Sequence, residues 1–177
     1  MHRWLVAFVL ASSATFAHAS MTFYAVALPA GQAATFLSDP RRMIDALQRK
    51  DDTILKLDKS WQGLHYLMTG SAEQPKGVLG QAILGGREVG EDLGYGPARV
   101  LTPENVKKIA VALAQVTQAS LAARYDPATM ERLKIYPPIW TREGTEGLRF
   151  LQNYLPALKA FYQRAADSGS EVVLLLV

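Results

Sequence analysis

At 177 residues, with 49% apolar and 20% charged side chains, the chain is long enough for one substantial core and too polar for a bundle of membrane spans. It contains no cysteine, which excludes disulfides, thiolate nucleophiles and Cys-ligated zinc or iron–sulfur centres. Its formal net charge is +3 without a concentrated Lys/Arg stripe, so nucleic acid is not the expected partner.

The chain opens on Met1-His2-Arg3, continues as unbroken apolar sequence from Trp4 to Leu10, and reaches the small-x-small triplet Ala17-His18-Ala19. That order is a secretory signal, predicted over 1–19 with cleavage after Ala19. Its apolar run is too short to span a hydrocarbon core of about 30 Å, so no stable membrane anchor is expected after cleavage. The expected location is periplasmic or secreted, with a cytoplasmic protein starting at Met21 as the alternative. Removal of the leader takes away His2 and His18 and leaves His65 as the mature chain's histidine.

In the mature chain, Thr22 to Leu28 mixes aromatic and β-branched residues and reads as a strand. Gly31 to Leu47 turns helical, and Ser38-Asp39-Pro40 divides it into two short helices, Asp39 capping and Pro40 opening the second. The same polar-cap-then-proline device recurs at Thr102-Pro103 and Asp126-Pro127. Asp58 is expected to cap a helix ending at Gly70, with Trp61, Leu64, His65 and Met68 along one stripe. The glycine-rich stretch from Gly77 to Gly96 predicts turns and short strands, including a turn at Gly85-Gly86. Arg99 to Leu101 is extended, and the helix from Pro103 buries Val106, Ile109, Ala110 and Leu113.

After a short helix at Asp126 comes Ile135-Tyr136-Pro137-Pro138-Ile139-Trp140, a connector held extended by its prolines and anchored by large side chains. Leu148, Leu151, Leu155, Leu158, Tyr162 and Ala165 trace a long helical stripe, and Pro156 predicts a kink or two abutting helices there. Val172 to Val177 is apolar throughout, as in a central strand covered on both faces. Strands at both ends with helices between them define an α+β fold: one compact domain over 20–177, with a small sheet including both terminal strands.

The segments LDKSWQGLHYLMTG (Leu57 to Gly70), LGQAILGG (Leu79 to Gly86), GEDLGYGPARVLTP (Gly90 to Pro103), YDPATM (Tyr125 to Met130) and LKAFYQRAADSG (Leu158 to Gly169) occur in an order that resembles the YfbM-like bacterial family, a domain-of-unknown-function group. The resemblance spans the mature chain and implies a small α+β fold. It implies no reaction, cofactor or catalytic residue.

Functional groups concentrate in two segments: Asp58, Trp61 and His65 around one helix, and Glu91, Asp92, Tyr95 and Arg99 in the glycine-rich stretch. Together they form a candidate ligand or partner pocket, in which indole and imidazole flank a ligand and Arg99 holds an anion. The structural alternative makes Asp58 a cap, Trp61 and His65 core, and GEDLGYGPAR a turn whose arginine pairs locally. One imidazole cannot assemble a zinc site, the carboxylates lack calcium-loop spacing, and no GxSxG or phosphate-loop motif occurs, so no metal or cofactor is expected. The leading expectation is a non-catalytic exported binding or protein-interaction domain, with an immunity-type role against a secreted toxin as one version. The alternative is a small acid–base enzyme, such as a hydrolase using His65 with Glu91 or Asp92.

Overall fold

The computed structural model describes residues 20–177, so the expected leader at 1–19 lies outside the described residues. In chain order the elements are β1 (Phe23–Leu28), α1 (Ala33–Leu37), α2 (Pro40–Gln48), β2 (Ile54–Asp58), α3 (Trp61–Thr69), α4 (Gly77–Leu84), β3 (Arg87–Asp92) and β4 (Pro97–Leu101). They continue with α5 (Pro103–Ala114), α6 (Gln118–Ala122), α7 (Pro127–Arg132), α8 (Trp140–Glu143), α9 (Thr145–Asp167) and β5 (Glu171–Leu176). The strands form one five-stranded sheet in the order β2-β1-β5-β4-β3, with antiparallel pairing throughout.

Strand β5 is central because both of its faces are apolar. Val172 and Leu174 enter the larger core, while Val173 and Leu175 enter the smaller one, as the two-residue side-chain period of a strand requires. The larger core is filled by the apolar stripes of α3, α5 and α9, including the predicted Val106, Ile109, Ala110 and Leu113, together with Ala82 and Ile83 of α4. Ala33, Phe36 and Ala46 of α1 and α2 cover the other face. There the buried carboxylate of Glu171 accepts the N–H of Ala33, an amide that the first turn of α1 leaves unpaired.

Helix starts follow the capping chemistry legible in the sequence. Asp39 accepts from Arg41 and Arg42, Thr102 from Asn105, and Asp126 from Ala128 and Thr129. Asp58 behaves otherwise: it ends β2 with φ +50°, and α3 begins at Trp61 after Ser60, without a side-chain cap. The Ser60 hydroxyl instead donates to Leu57 C=O at 2.6 Å.

Two further segments depart from expectation. Gly77 to Leu84 is helical, because Gly80 lets α4 lie against the main chain of Pro75 and its Ala82 and Ile83 are buried. Helix α9 is one helix of 23 residues that continues past Pro156, where two abutting helices are the other expectation. The proline forfeits one backbone bond, at a cost of about 3 kcal/mol, but Leu151, Leu155, Leu158, Phe161, Tyr162 and Ala165 are buried on either side of it. Burying such side chains stabilises by about 1.5–3 kcal/mol each for the larger ones, so packing outweighs the missing bond.

The carbonyl ends of the helices take side-chain donors from distant elements. Tyr162 O–H donates to Ala82 C=O in the last turn of α4 at 2.6 Å, Lys159 to the carbonyls of Ala114 at the end of α5 and Val116 just beyond it, and Arg124 to Leu67 C=O at the end of α3. Burial pushes the Tyr162 phenol pKa far up, so it stays a donor at any physiological pH. Tyr162→Phe keeps the ring and strands a buried carbonyl, an expected loss of about 1–2 kcal/mol. An unchanged urea midpoint for that variant would remove the bond from the account of the fold.

Candidate functional site

Helix α3 carries Trp61 and His65 one turn apart, but their side chains enter the core rather than a cavity mouth. Trp61 is 5% and His65 0% exposed. The His65 ring reaches the loop after its own helix, with Nε2 at 2.9 Å from Gln74 C=O, which assigns the proton to Nε2 as donor. Nδ1 of His65 and Nε1 of Trp61 are buried without a hydrogen-bond partner among the described residues. Burial pushes the His65 pKa below its usual 6.5, and the Gln74 bond opposes this only in part.

His65 therefore stays neutral in the folded state at a pH where the unfolded chain has taken up its proton. Stability attributable to His65 is fully present above pH 6.5 and is lost as pH falls from there toward the depressed native value. Asp51, Asp92, Glu104 and Asp126, whose pKa values are lowered by hydrogen bonds, lose their contribution only at more acid pH. Urea titrations between pH 7.5 and 5.5 should show wild-type stability falling on acidification and His65→Gln nearly flat. Parallel slopes for the two proteins would refute the assignment.

The second group lies on the β3–β4 hairpin. Asp92 is exposed, and its Oδ1 accepts from the N–H groups of Gly94 at 2.6 Å and Gly96 at 3.0 Å, a local Asx-type turn that holds its pKa below the usual carboxylate value. Gly94 and Gly96 have φ of +115° and +104°, backbone that an L side chain rarely adopts. Glu91 is exposed on the same edge strand. Arg99 sits directly across from Glu88 in the strand register and forms an ion pair with it, so its guanidinium is held by a neighbour rather than presented to an anion. The pair is mostly solvated and adds little stability.

The seven predicted residues do not converge on one pocket. His65 is sealed between α3 and the loop that follows it, Glu91 and Asp92 are solvated on the hairpin, and Asp58 acts electrostatically on Tyr154 of α9. Yet the register puts the two groups at the same end of the sheet. Asp58 pairs with Phe23 and Phe23 with Leu176, while Arg99 pairs with Leu174; continuing that register sets Pro97 level with Leu176. At about 4.8 Å per strand, roughly 14 Å separates β2 from β4 at this end.

A groove of about 540 Å³ occupies that interval, lined by Ser20, Met21, Lys59, Tyr95, Tyr136, Pro137 and Pro138. Of the predicted residues it is lined by Tyr95, which also lines a smaller hollow of about 140 Å³ beside Arg99. Trp61 braces the opposite wall, its ring 6.3 Å from that of Tyr136 and tilted by 31°. Gln62, unremarkable in the sequence, ties that wall to α3: Oε1 accepts from Tyr136 N–H at 2.7 Å and Nε2 donates to Ala72 C=O. Lys59 is the ionised side chain on the lining and forms no ion pair among the described residues. Sequence reading passed over Lys59 and Gln62 because neither belongs to a motif; what marks them is placement.

A larger groove of about 580 Å³ lies between α5 and α9, but its cation, Lys159, is already engaged by the carbonyls that end α5. Among the described residues no group of three or more His, Asp or Glu gathers as a metal site, and no helix is long and apolar enough to cross a membrane.

The family described as "Domain of unknown function (DUF1877)" matches residues 20–175, and the chain belongs to that family. Among solved structures it is similar to a protein of unknown function, YfbM from Escherichia coli, with a TM-score of 0.69 and 17% identity over 89% of this chain and 99% of that one. At that identity the likeness establishes the fold. No curated protein matches.

Proposed function

We propose that this protein is an exported, non-catalytic binding domain that holds a small ligand or a segment of a protein partner in the groove at the end of the sheet. The observation that carries the reading is the composition of the groove: two tyrosines, two prolines and the Lys59 ammonium, which has no ion pair among the described residues, braced from behind by Trp61 and Gln62. Its volume is in the range of about 300–1,000 Å³ usual for ligand sites, and it combines rigid apolar walls with few polar groups. Tyrosine and proline supply contact area at little conformational cost. An acid–base mechanism has less support, since His65 has no exposed surface and its Nε2 is committed to Gln74.

The test has two parts. Mass spectrometry of native protein from the periplasmic fraction should find Ser20 as the first residue; a chain beginning at Met21 would refute export. Affinity capture from periplasmic extract should recover a saturable ligand or partner that is lost with Pro138→Glu, a change at the exposed rim of the groove. Equal capture by both proteins would place binding elsewhere.

A further inference from the structure

We infer that cleavage after Ala19 completes this groove: the α-ammonium it leaves on Ser20 joins Lys59 as a pair of cations that select a small organic anion with an apolar body. The inference rests on the exported reading above. Ser20, the residue that follows the predicted cut, itself lines the groove, on the same surface as Lys59, Tyr95 and Tyr136. Before cleavage its nitrogen is a neutral amide; afterwards it is an α-amine with a usual pKa of about 7.7–8.0, mostly protonated at neutral pH. Among the described residues no carboxylate side chain lines the groove, so both cations face a cavity walled by aromatic and proline surface. A carboxylate attached to a ring satisfies both parts: the charge meets two ammonium donors and the ring packs on tyrosine and proline.

The charges nearby are identifiable. Thr22 and Val177 exchange backbone hydrogen bonds at 2.6 and 3.0 Å, which brings the oxygen of Val177 close to Ser20 as a competing acceptor for its ammonium. Asp58 precedes Lys59 and does not line the groove; its charge adds to burial in raising the Tyr154 pKa. The hairpin contributes Tyr95 and the connector Tyr136. Capture of the new ammonium by Val177 would leave Lys59 alone, and this is the outcome the experiment must separate.

Residues 20–177 form a five-stranded sheet and two cores, so the processed chain is a fair subject. Phenylacetate and its neutral analogue phenylacetamide would be titrated by NMR into the chain starting at Ser20, the same chain acetylated on the Ser20 nitrogen, and the full 177-residue chain. Phenylacetate is expected to bind the free-amine form about three- to fivefold more tightly than either other form, the upper part of the range for one exposed ion pair. That advantage should vanish as pH rises through about 8. The acetylated chain retains Lys59, Tyr95, Tyr136, Asp58 and Val177, so the difference isolates the α-amine. Equal phenylacetate affinity in all three forms, or equal binding of phenylacetamide and phenylacetate to the free-amine chain, overturns the inference and leaves the binding reading standing. Failure of both probes to shift Met21, Tyr95 or Tyr136 in any form overturns the inference and counts against the groove as the binding site.

Discussion

Trp140→Ala is expected to remove about 3–5 kcal/mol of folding stability, a large part of the 5–15 kcal/mol that a domain typically has. Trp140 is fully enclosed, its Nε1–H donates to Ile135 C=O at 2.6 Å, and Tyr125 packs edge-on at 6.4 Å. Two glycines make room for it: a Cβ at Gly63 would stand 2.8 Å from its Cη2, and one at Gly147 would stand 3.3 Å from its Cε3. Truncation opens a cavity where α3, α8 and α9 meet, and the surrounding helices cannot collapse into it without losing their own contacts. Because Trp140 also anchors the Ile135 end of the proline connector, the variant should lose the binding proposed for the groove along with stability. Urea unfolding would measure the first effect. A loss below about 1 kcal/mol would contradict the packing described for this junction.

Gly80→Val is expected to cost about 3 kcal/mol, the upper part of the range for overpacking, because the obstacle is main chain rather than a movable side chain. A Cβ at Gly80 would lie 2.5 Å from the carbonyl carbon of Pro75 and 2.9 Å from its Cα. Either α4 or the segment before it must move, and that segment carries Gln74, whose carbonyl holds His65. Two opposite effects on His65 follow. Loss of the Gln74 bond lowers the imidazole pKa, while water admitted beside the ring raises it. Burial is the larger cause of the present depression, so the net movement should be upward toward 6.5. NMR titration of the single imidazole in a chain starting at Ser20 reads this directly, and Gly80→Ala provides a milder version should the valine variant fail to fold. A His65 pKa unchanged in a destabilised Gly80→Ala protein would disconnect the loop from the histidine.

Local chemistry accounts for what was legible beforehand. Asp39, Thr102 and Asp126 cap because each precedes a proline and faces unpaired amides within three residues. The alternation of Val172 to Leu175 between two cores, and the stripe of α5, likewise depend only on side-chain period. Misreadings arose where a distant neighbour decided. Gly77 to Leu84 has the composition of turns, and packing of Gly80 on Pro75 makes it a helix. Pro156 predicts a kink or two abutting helices, and burial on both sides of it keeps α9 one helix.

The candidate site shows the same division. Spacing correctly put Trp61 and His65 on one face of a helix, but whether that face meets solvent is a property of the elements laid over it. Asp92 and Arg99 carry suitable chemistry, yet the turn and the cross-strand register commit them to Gly94, Gly96 and Glu88. Lys59, Gln62 and Tyr136 gain their meaning only when the chain brings them together.

Taken alone, the sequence determined the helix caps, the apolar stripes, the central terminal strand and the α+β class, all interactions between residues a few positions apart. Only the tertiary structure decided that His65 is sealed, that the hairpin binds its own charges, and that Ser20, Lys59, Tyr95 and Tyr136 share one groove. Burial and convergence depend on contacts between residues distant in the chain, and no local pattern encodes which of them will meet.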